Sequence, residues 1–300
     1  MAELPDVQSL RARYEFPLTR VGVSGIKKIV HVRRPGHAQP YTLIPEIAAA
    51  VDLPARQRGS HMSRNVEAIN ETIELVAREP VGSLEEFAQV VTESLLKRHE
   101  YATMAEIAAE ADYFLERRLP SGVKSMENYR LVARAVARRD GGLRRSIGVE
   151  VLGVNACPCA MEATREILGE GSPAVGPFIT HNQRNKTFLL VDCDDGHGAG
   201  VEANDLIGIC EDALSAPTFE YLKRGDEARL VIRAHENPRF VEDVVREMLA
   251  AVVRRYGDLP DDTVVTARSE AEESIHKHNA FAERVTTMRE LRSNGPGSGA

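Results

Sequence analysis

Two cysteines, Cys157 and Cys159, stand on either side of Pro158 and are the residues whose spacing first suggests chemistry. Proline favours an extended backbone at the residue before it, and residues two apart in an extended chain face the same way. One thiolate could therefore bind a metal ion while the second sulfur stays near it. Two buried, apolar cysteines are the alternative interpretation, and the chain's other cysteines, Cys193 and Cys210, fit that description.

Two later segments carry histidine. His181 begins the sequence His-Asn-Gln-Arg, between a Gly- and Pro-rich stretch and an apolar run. Burying four polar residues is unfavourable unless they find partners or a ligand. His276 and His278 converge only in an extended segment, because on a helix they would point about 200° apart. A polar surface loop is the alternative for either segment.

Carboxylates and cations complete the set of candidate residues. Glu227 and Glu242 lie between the histidine segments in the sequence, although each alone fits a solvated helix charge. Sulfur, imidazole and carboxylate donors together suit Zn(II) or Fe(II) with one coordination position left for water. Water on such an ion is a strong nucleophile at neutral pH. Basic side chains that could hold phosphates are Lys27, Lys28, Arg64 and Arg184.

The elements that position these residues in the first half are one extended segment and two helices. Alternation predicts a strand-like segment over 21–32. Helical spacing of apolar residues predicts a helix over 64–77, which Ser63 would cap. Ser83 and Glu86 predict a capping box at the start of a second helix. His99 follows Lys97 and Arg98 near its end, where positive charge is favoured, and is interpreted as a surface charge.

The second half is predicted to begin with a hairpin. Asp140-Gly141-Gly142 lies between strand-like segments over 129–138 and 143–154, whereas 101–117 is ambiguous between helix and strand. Helices are predicted over 161–168, 202–214 and 240–256, and strands over 187–191 and 263–268. The class is therefore α+β, with antiparallel strands and paired helices. We predict one module over 1–139, a second over 140–292 that carries the site, and a disordered tail over 293–300.

Composition excludes several classes of protein. The chain has 300 residues, with 38 Lys and Arg against 45 Asp and Glu and a net charge of −7. A dedicated nucleic-acid-binding protein usually has a basic excess, and the absence of Trp argues against a base-stacking surface. The sequence shows no signal segment and no apolar run of 18 residues. We therefore expect a cytoplasmic protein with neither nucleic-acid nor membrane partners.

As a set, these motifs resemble the GTP cyclohydrolase type IB family, and in particular its archaeal branch. Ala160, where bacterial members have Ser, and the long connection from Cys159 to His181 favour that branch. The resemblance spans nearly the whole chain in the family's order. The matching segments are 6–8, 22–28, 59–64, 156–160, 180–184, 222–227, 237–243 and 273–280.

The resemblance implies a tunnelling fold, with two tandem α+β modules per subunit. It also implies a dimer or tetramer with active sites at subunit interfaces. The family's metal ligands match Cys157, His181 and Glu227, and the family histidines at His276 and His278 bind metal or act in catalysis. One divalent ion per subunit is implied, Fe(II) in the archaeal branch and Zn(II) or Mn(II) in bacterial relatives.

Further roles follow from the same resemblance. Glu242 matches the carboxylate that anchors guanine, which suits its capacity to accept two parallel hydrogen bonds from the base. Cys159 and Glu273 match residues near the catalytic centre. The remaining substrate-binding candidates are Lys27, Lys28, His61, Arg64, Gln183 and Arg184.

The implied reaction is hydrolytic opening of the guanine imidazole ring of GTP, with loss of formate and closure to a dihydropterin. The archaeal branch forms 7,8-dihydroneopterin 2′,3′-cyclic phosphate and diphosphate, whereas the bacterial branch keeps the triphosphate. Two other functions stay open. A tunnelling-fold nitrile reductase would use a cysteine nucleophile and NADPH without metal, and a non-catalytic metal-binding protein would release no formate.

Overall fold

The computed structural model describes residues 5–33, 40–169, 179–194 and 200–294. The chain divides into two units. The first unit contains Met1–Asp112, Val132–Ile147 and Cys193–Gly198, and the second contains Tyr113–Leu131, Gly148–Asp192 and Ala199–Ala300. Three long strands each place at least five residues in both units: β5 (Met104–Arg118), β6 (Lys124–Arg138) and β7 (Leu143–Ala156).

The first unit pairs antiparallel strands with two helices. Its strands besides those three are β1 (Leu18–Lys27), β2 (Val30–Val32), β3 (Tyr41–Leu43) and β4 (Glu46–Leu53). β4 pairs antiparallel with both β1 and β5, and β2 pairs with β3. Alternate residues of β4 are buried, as expected for a strand with one face on a core. The helices are α1 (Met62–Arg78) and α2 (Leu84–Arg98), which pack together.

The second unit carries five helices and four further strands among its described residues. They are α3 (Pro158–Leu168), β8 (Asn182–Asp194), α4 (Ala203–Ala213), β9 (Ala216–Pro217), α5 (Arg224–Glu236), α6 (Val241–Arg255), β10 (Val264–Ala271), β11 (Ala280–Thr287) and α7 (Met288–Asn294). β10 pairs antiparallel with β8 and β11, and β9 pairs with β7. Apolar residues at helical spacing bury one face of α6, which packs on β10, β11 and α4.

The predicted elements largely occur where the sequence places them. The Asp140-Gly141-Gly142 turn joins β6 and β7, and Gly141 has a φ of 98°, a left-handed conformation that favours glycine. The ambiguous segment 101–117 is mostly strand β5. Antiparallel α+β architecture is confirmed, whereas the tandem arrangement of two modules and its boundary stay predictions. Among the helices that the structure describes, none combines the length and the apolar character needed to cross a bilayer.

Helix ends show one prediction confirmed in part and two wrong ones. Ser83 is the N-cap of α2, and its hydroxyl accepts a hydrogen bond from the Glu86 N–H at 3.1 Å. The reciprocal half of the predicted capping box differs, because the Glu86 carboxylate accepts from the Gly82 N–H at 2.6 Å. Ser63 is not the N-cap of α1, because the helix begins at Met62, one residue before Ser63, and its N-cap residue is His61. Ser293 and Asn294, expected in the tail, are the last residues of α7, where both side chains donate to backbone carbonyls one turn earlier. Residues 295–300 lie outside the described residues.

Candidate active site

Cys157 lies at the junction between β7 and α3. Its extended backbone (φ −78°, ψ 117°) matches the conformation that Pro158 favours, and it is the N-cap of α3. The sulfur accepts a hydrogen bond from the Ala160 N–H at 3.4 Å. The half-buried thiol of Cys157 therefore lies at the positive end of the α3 dipole, where negative charge is stabilised.

Cys159 does not share an extended segment with Cys157. α3 begins at Pro158, three residues before the predicted start at Met161, so Cys159 lies in the first helical turn and is exposed. Proline is favourable at the first helical position, and the Cys157 side chain caps the same turn. The expectation that the two sulfurs face the same way along a strand is therefore wrong.

Main-chain contacts bring Cys157 next to His181. The Cys157 N–H donates to the His181 carbonyl at 3.0 Å, and the Thr180 hydroxyl donates to the Cys157 carbonyl at 2.7 Å. These two hydrogen bonds join the end of β7 to the residues immediately before β8. Two residues that the sequence separates widely are thus neighbours in the second unit.

The His181 ring is held by the segment that follows β10. Its Nδ1 lies 2.9 Å from Gln183 Oε1, 3.3 Å from Ser274 Oγ and 3.9 Å from Glu273 Oε2. Pairing of β8 with β10 positions this segment, since Asn185 opposes Ala271 and the Glu272 N–H donates to the Arg184 carbonyl at 2.9 Å. The His181 and Glu273 side chains are only 11% and 13% exposed.

His276 and His278 converge as predicted. Their rings stack with centroids 5.1 Å apart and an interplanar angle of 14°. Both residues lie in the exposed connection between β10 and β11, a few positions after Glu273. The segment therefore presents two adjacent imidazoles from the same connection that contacts His181.

The first turn of α6 is anchored beside Cys157. The Arg239 N–H donates to the Ala156 carbonyl at 3.0 Å, and the Asn155 side-chain amide donates to the Arg239 carbonyl at 3.2 Å. Glu242, in this first turn, lines a cavity of about 700 Å³ bounded by α6, β11 and α7. Its wall includes apolar Val245 and Leu249 and the cationic Arg246 and Arg284. A carboxylate at the edge of a partly apolar cavity can orient a planar polar ligand.

Glu227 and its neighbour Asp226 have opposite environments in the first turn of α5. Asp226 is 1% exposed and accepts hydrogen bonds from the Ser121 hydroxyl at 2.9 Å and from Arg229 at 3.4 Å. Glu227 is exposed. Sequence reasoning selected Glu227 and missed Asp226, whose burial could not be read from a charged pair at a helix start. Asp226 fixes the turn that carries Glu227.

The ligand set stays a prediction. Within the residues that the structure describes, no three His, Cys, Asp or Glu side chains lie close enough together to hold a metal ion. The donor chemistry at Cys157 and His181 nevertheless fits a thiolate- and imidazole-binding ion. Hydrogen bonding at Nδ1 of His181 leaves its Nε2 available, which is the arrangement that metal-binding histidines usually show.

Several predicted substrate-binding residues lie in the first unit and already have partners. His61 is the N-cap residue of α1 and its Nε2 lies 3.1 Å from Asp6, while its buried Nδ1 has no partner among the described residues. Arg64 donates to the Arg98 carbonyl at 3.2 Å. Lys27 lies 3.6 Å from Glu46. Lys28 is half-buried, and Arg184 of the second unit is exposed.

His99 is not a surface charge. It is fully buried, with Nε2 2.7 Å from Asn65 Oδ1 and Nδ1 2.8 Å from the Tyr101 hydroxyl. Burial, assisted by the nearby positive charges of Arg64, His61 and Arg98, lowers the pKa of His99 to about 4. The Tyr101 hydroxyl also lies 2.8 Å from Ser60 Oγ, so a buried network supports the residue before His61. The charges of Lys97 and Arg98 just before it are what made His99 resemble a surface residue in the sequence.

Comparison with known proteins defines the class of this chain. Residues 4–282 match the family model described as Type I GTP cyclohydrolase folE2. The chain belongs to this family and is an enzyme of the GTP cyclohydrolase class.

Individual relatives support the same family assignment. The GTP cyclohydrolase MptA of Methanothermobacter thermautotrophicus is 41% identical, covering 98% of this chain and 98% of that protein. GTP cyclohydrolase MptA 2 of Methanocella arvoryzae is 42% identical, covering 97% and 98%. Among solved structures, uricase from Arthrobacter globiformis superposes with a TM-score of 0.54 at 9% identity, covering 90% of this chain and 93% of that one. At that identity the likeness concerns the fold alone.

Proposed function

We propose that this protein opens the imidazole ring of GTP at C8, releases formate and forms 7,8-dihydroneopterin 2′,3′-cyclic phosphate and diphosphate. The observation that carries the proposal is the meeting of Cys157 and His181 beside the anchored first turn of α6, which bears Glu242. Curated relatives named GTP cyclohydrolase MptA support the same chemistry. The product is a pterin, so the reaction belongs to pterin synthesis.

Cys157, His181 and Glu227 are the residues that would hold a divalent ion, with His276 and His278 as further candidates. We propose one ion per subunit, Fe(II) rather than Zn(II) or Mn(II). When bound, such an ion supplies a water molecule acidic enough to act as a nucleophile at neutral pH. Exposure of Glu227 implies that α5 or its surroundings must rearrange, or that assembly completes the site.

Recognition of guanine is assigned to Glu242. A carboxylate accepts two parallel hydrogen bonds from N1–H and the 2-amino group of guanine, which adenine does not offer. The apolar wall formed by Val245 and Leu249 suits a purine ring. Charge and hydrogen-bonding capacity alone support phosphate contacts from Lys27, Lys28, His61, Arg64 and Arg184.

Proton transfer is assigned to the connection between β10 and β11. Opening of the ring breaks the bond between C8 and N9, and a second hydrolysis breaks the bond between C8 and N7 to release formate. Each step requires a proton on the departing nitrogen, which His276 or His278 can donate and Glu273 can help return. Closure of the dihydropterin ring returns one water molecule, so two waters enter and one leaves. Cys159, exposed in α3, is a weaker candidate for this proton transfer.

Loss of diphosphate needs a separate step within the substrate. After the ribose has rearranged, the 2′-hydroxyl of the dihydroneopterin side chain, which was the ring oxygen on ribose C4′, loses its proton and attacks the α-phosphorus on the neighbouring 3′-oxygen. The bond from the α-phosphorus to the oxygen shared with the β-phosphorus breaks, and diphosphate leaves. Retention of the triphosphate is the alternative outcome. We further propose that the protein acts in the cytoplasm as a homo-oligomer, a dimer or tetramer with active sites at subunit interfaces.

The test is an anaerobic incubation of GTP with the purified protein and Fe(II), Zn(II) or Mn(II) in turn, followed by product mass and formate assay. The proposal predicts equal amounts of formate and cyclic phosphate, with the highest rate for Fe(II). A triphosphate product would change the assigned product while keeping the ring chemistry. No formate with any of the three ions would contradict the proposed function.

A further inference from the structure

Gln183 was expected to bind substrate, but both ends of its side-chain amide are already engaged by the protein. Its Oε1 lies 2.9 Å from His181 Nδ1, and its Nε2 donates to Glu273 Oε1 at 3.3 Å. The residue is 8% exposed. A substrate group would have to displace one of these contacts, so Gln183 is better suited to organising its neighbours.

Glu273 determines which group donates and which accepts in the two hydrogen bonds that link it through Gln183 to His181. An ionised carboxylate only accepts, so the NH₂ end of the Gln183 amide must face it and the carbonyl end must face His181. His181 Nδ1 must then carry a proton and donate. In a neutral imidazole the other nitrogen, Nε2, is left with its lone pair. The second Glu273 oxygen, 3.9 Å from Nδ1, adds a negative charge that favours the same arrangement.

The backbone holds the three groups in register. Side chains two apart on a strand share a face, so His181, just before β8, and Gln183 point the same way. The hydrogen bond from Glu272 N–H to the Arg184 carbonyl extends the pairing of β8 and β10 and places Glu273 opposite Gln183. The arrangement is therefore built into the sheet and does not depend on a ligand.

We propose that Gln183 is a positioning residue that fixes His181 in the tautomer with Nδ1 protonated, so that Nε2 can bind the metal ion. The metal part rests on the proposed function, whereas the tautomer is a property of the protein alone. Supporting contacts of this kind typically change metal affinity by about 10- to 100-fold when they are removed. Gln183→Leu removes the acceptor, and Gln183→Glu keeps one opposite Nδ1.

The experiment measures two quantities on full-length protein. Nitrogen-15 NMR of the histidine rings in metal-free protein, with His181→Asn for assignment, gives the tautomer. Competition with a chromogenic chelator gives the Zn(II) dissociation constant. Gln89→Leu is the matched control, because Gln89 makes a similar amide contact, to Glu93 at 2.9 Å, in the first unit.

The proposal predicts Nδ1-protonated His181 in wild-type protein and in Gln183→Glu. It predicts mixed tautomers and about 10- to 100-fold weaker Zn(II) binding in Gln183→Leu, with no change in Gln89→Leu. A wild-type His181 protonated at Nε2 would overturn it, as would Gln183→Leu with wild-type tautomer and affinity. If Gln183→Leu does not fold, wild type and Gln183→Glu still decide the tautomer. Failure of the wild-type protein to bind metal or release formate would contradict the proposed function and leave the tautomer result to stand separately.

Discussion

The main-chain N–H of Cys157 donates a 3.0 Å hydrogen bond to the carbonyl oxygen of His181. This contact joins a helix-capping thiol to an imidazole whose Nδ1 is already engaged by Gln183. A sulfur and a nitrogen donor from distant parts of the sequence are thereby held at one place in the second unit.

Replacement of Cys157 by alanine is expected to abolish turnover, because it removes a proposed metal donor at the N-terminus of α3. A lost ligand should cost more than a lost supporting contact, so kcat/KM should fall by more than about 100-fold. Cys159→Ala, in the first turn of the helix and exposed, should have a smaller effect. Equal losses in the two variants would contradict the assignment. Steady-state formate release measures both.

Replacement of Glu242 by glutamine should weaken guanine recognition. Glutamine keeps one acceptor oxygen and loses one charge-assisted hydrogen bond, worth about 1.5–3 kcal/mol. This should lower kcat/KM for GTP by about 10- to 100-fold while metal content stays unchanged. Glu247→Gln is the control, since Glu247 lines the same cavity but pairs with Arg239 at 3.2 Å. Loss of metal from Glu242→Gln would assign this carboxylate a different role.

Buried His99 should make the protein less stable in mild acid. Its pKa is about 4 in the folded protein and near 6.5 in the unfolded chain. Between these values the unfolded chain takes up a proton that the folded protein does not, so the free energy of unfolding falls as the pH drops from 6.5 towards 4. Above pH 6.5 the residue contributes no slope.

The measurement is urea denaturation at several pH values for wild-type protein and His99→Gln. The free energy of unfolding should fall less steeply with decreasing pH in the variant than in the wild type. The difference in slope should correspond to at most one bound proton. Identical slopes in the two proteins would show that His99 is protonated without penalty. The replacement also tests whether the hydrogen bonds to Asn65 and Tyr101 need an imidazole.

Two serines provide a matched test of helix capping. Ser83→Ala should destabilise the protein by about 1 kcal/mol, because it removes the hydrogen bond to the Glu86 N–H at the start of α2. Ser63→Ala should change stability little, since Ser63 lies inside the first turn of α1 and does not cap it. Chemical denaturation measures both, and equal losses would contradict the observed start of α1.

Local signals predicted most of the fold. Alternation, helical spacing and the Asp-Gly-Gly turn located β1, α6 and the β6–β7 hairpin, because these patterns reflect neighbours in the chain. His99 was misread because a charged tripeptide at a helix end looks solvated, whereas its burial depends on Asn65 and Tyr101. Cys159 was misread because the start of α3 at Pro158 converts an extended pair into a helical one.

The candidate site was predictable in its residue types but not in its connections. Donor chemistry and the family resemblance selected Cys157, His181 and the His276–His278 pair. The role of Gln183 depends on which strand β8 pairs with, since β10 delivers Glu273 to the other end of its amide. Asp226 was missed for the same reason, because its partner Ser121 is remote in the sequence.

The central claim is that these residues form one hydrolytic centre acting on the guanine of GTP. The most direct test is formate released per GTP consumed by anaerobic wild-type protein loaded with Fe(II), measured beside His181→Asn. The account predicts one formate per GTP for the wild type and none above background for the variant. Consumption of GTP without formate, or undiminished formate release by His181→Asn, would contradict it.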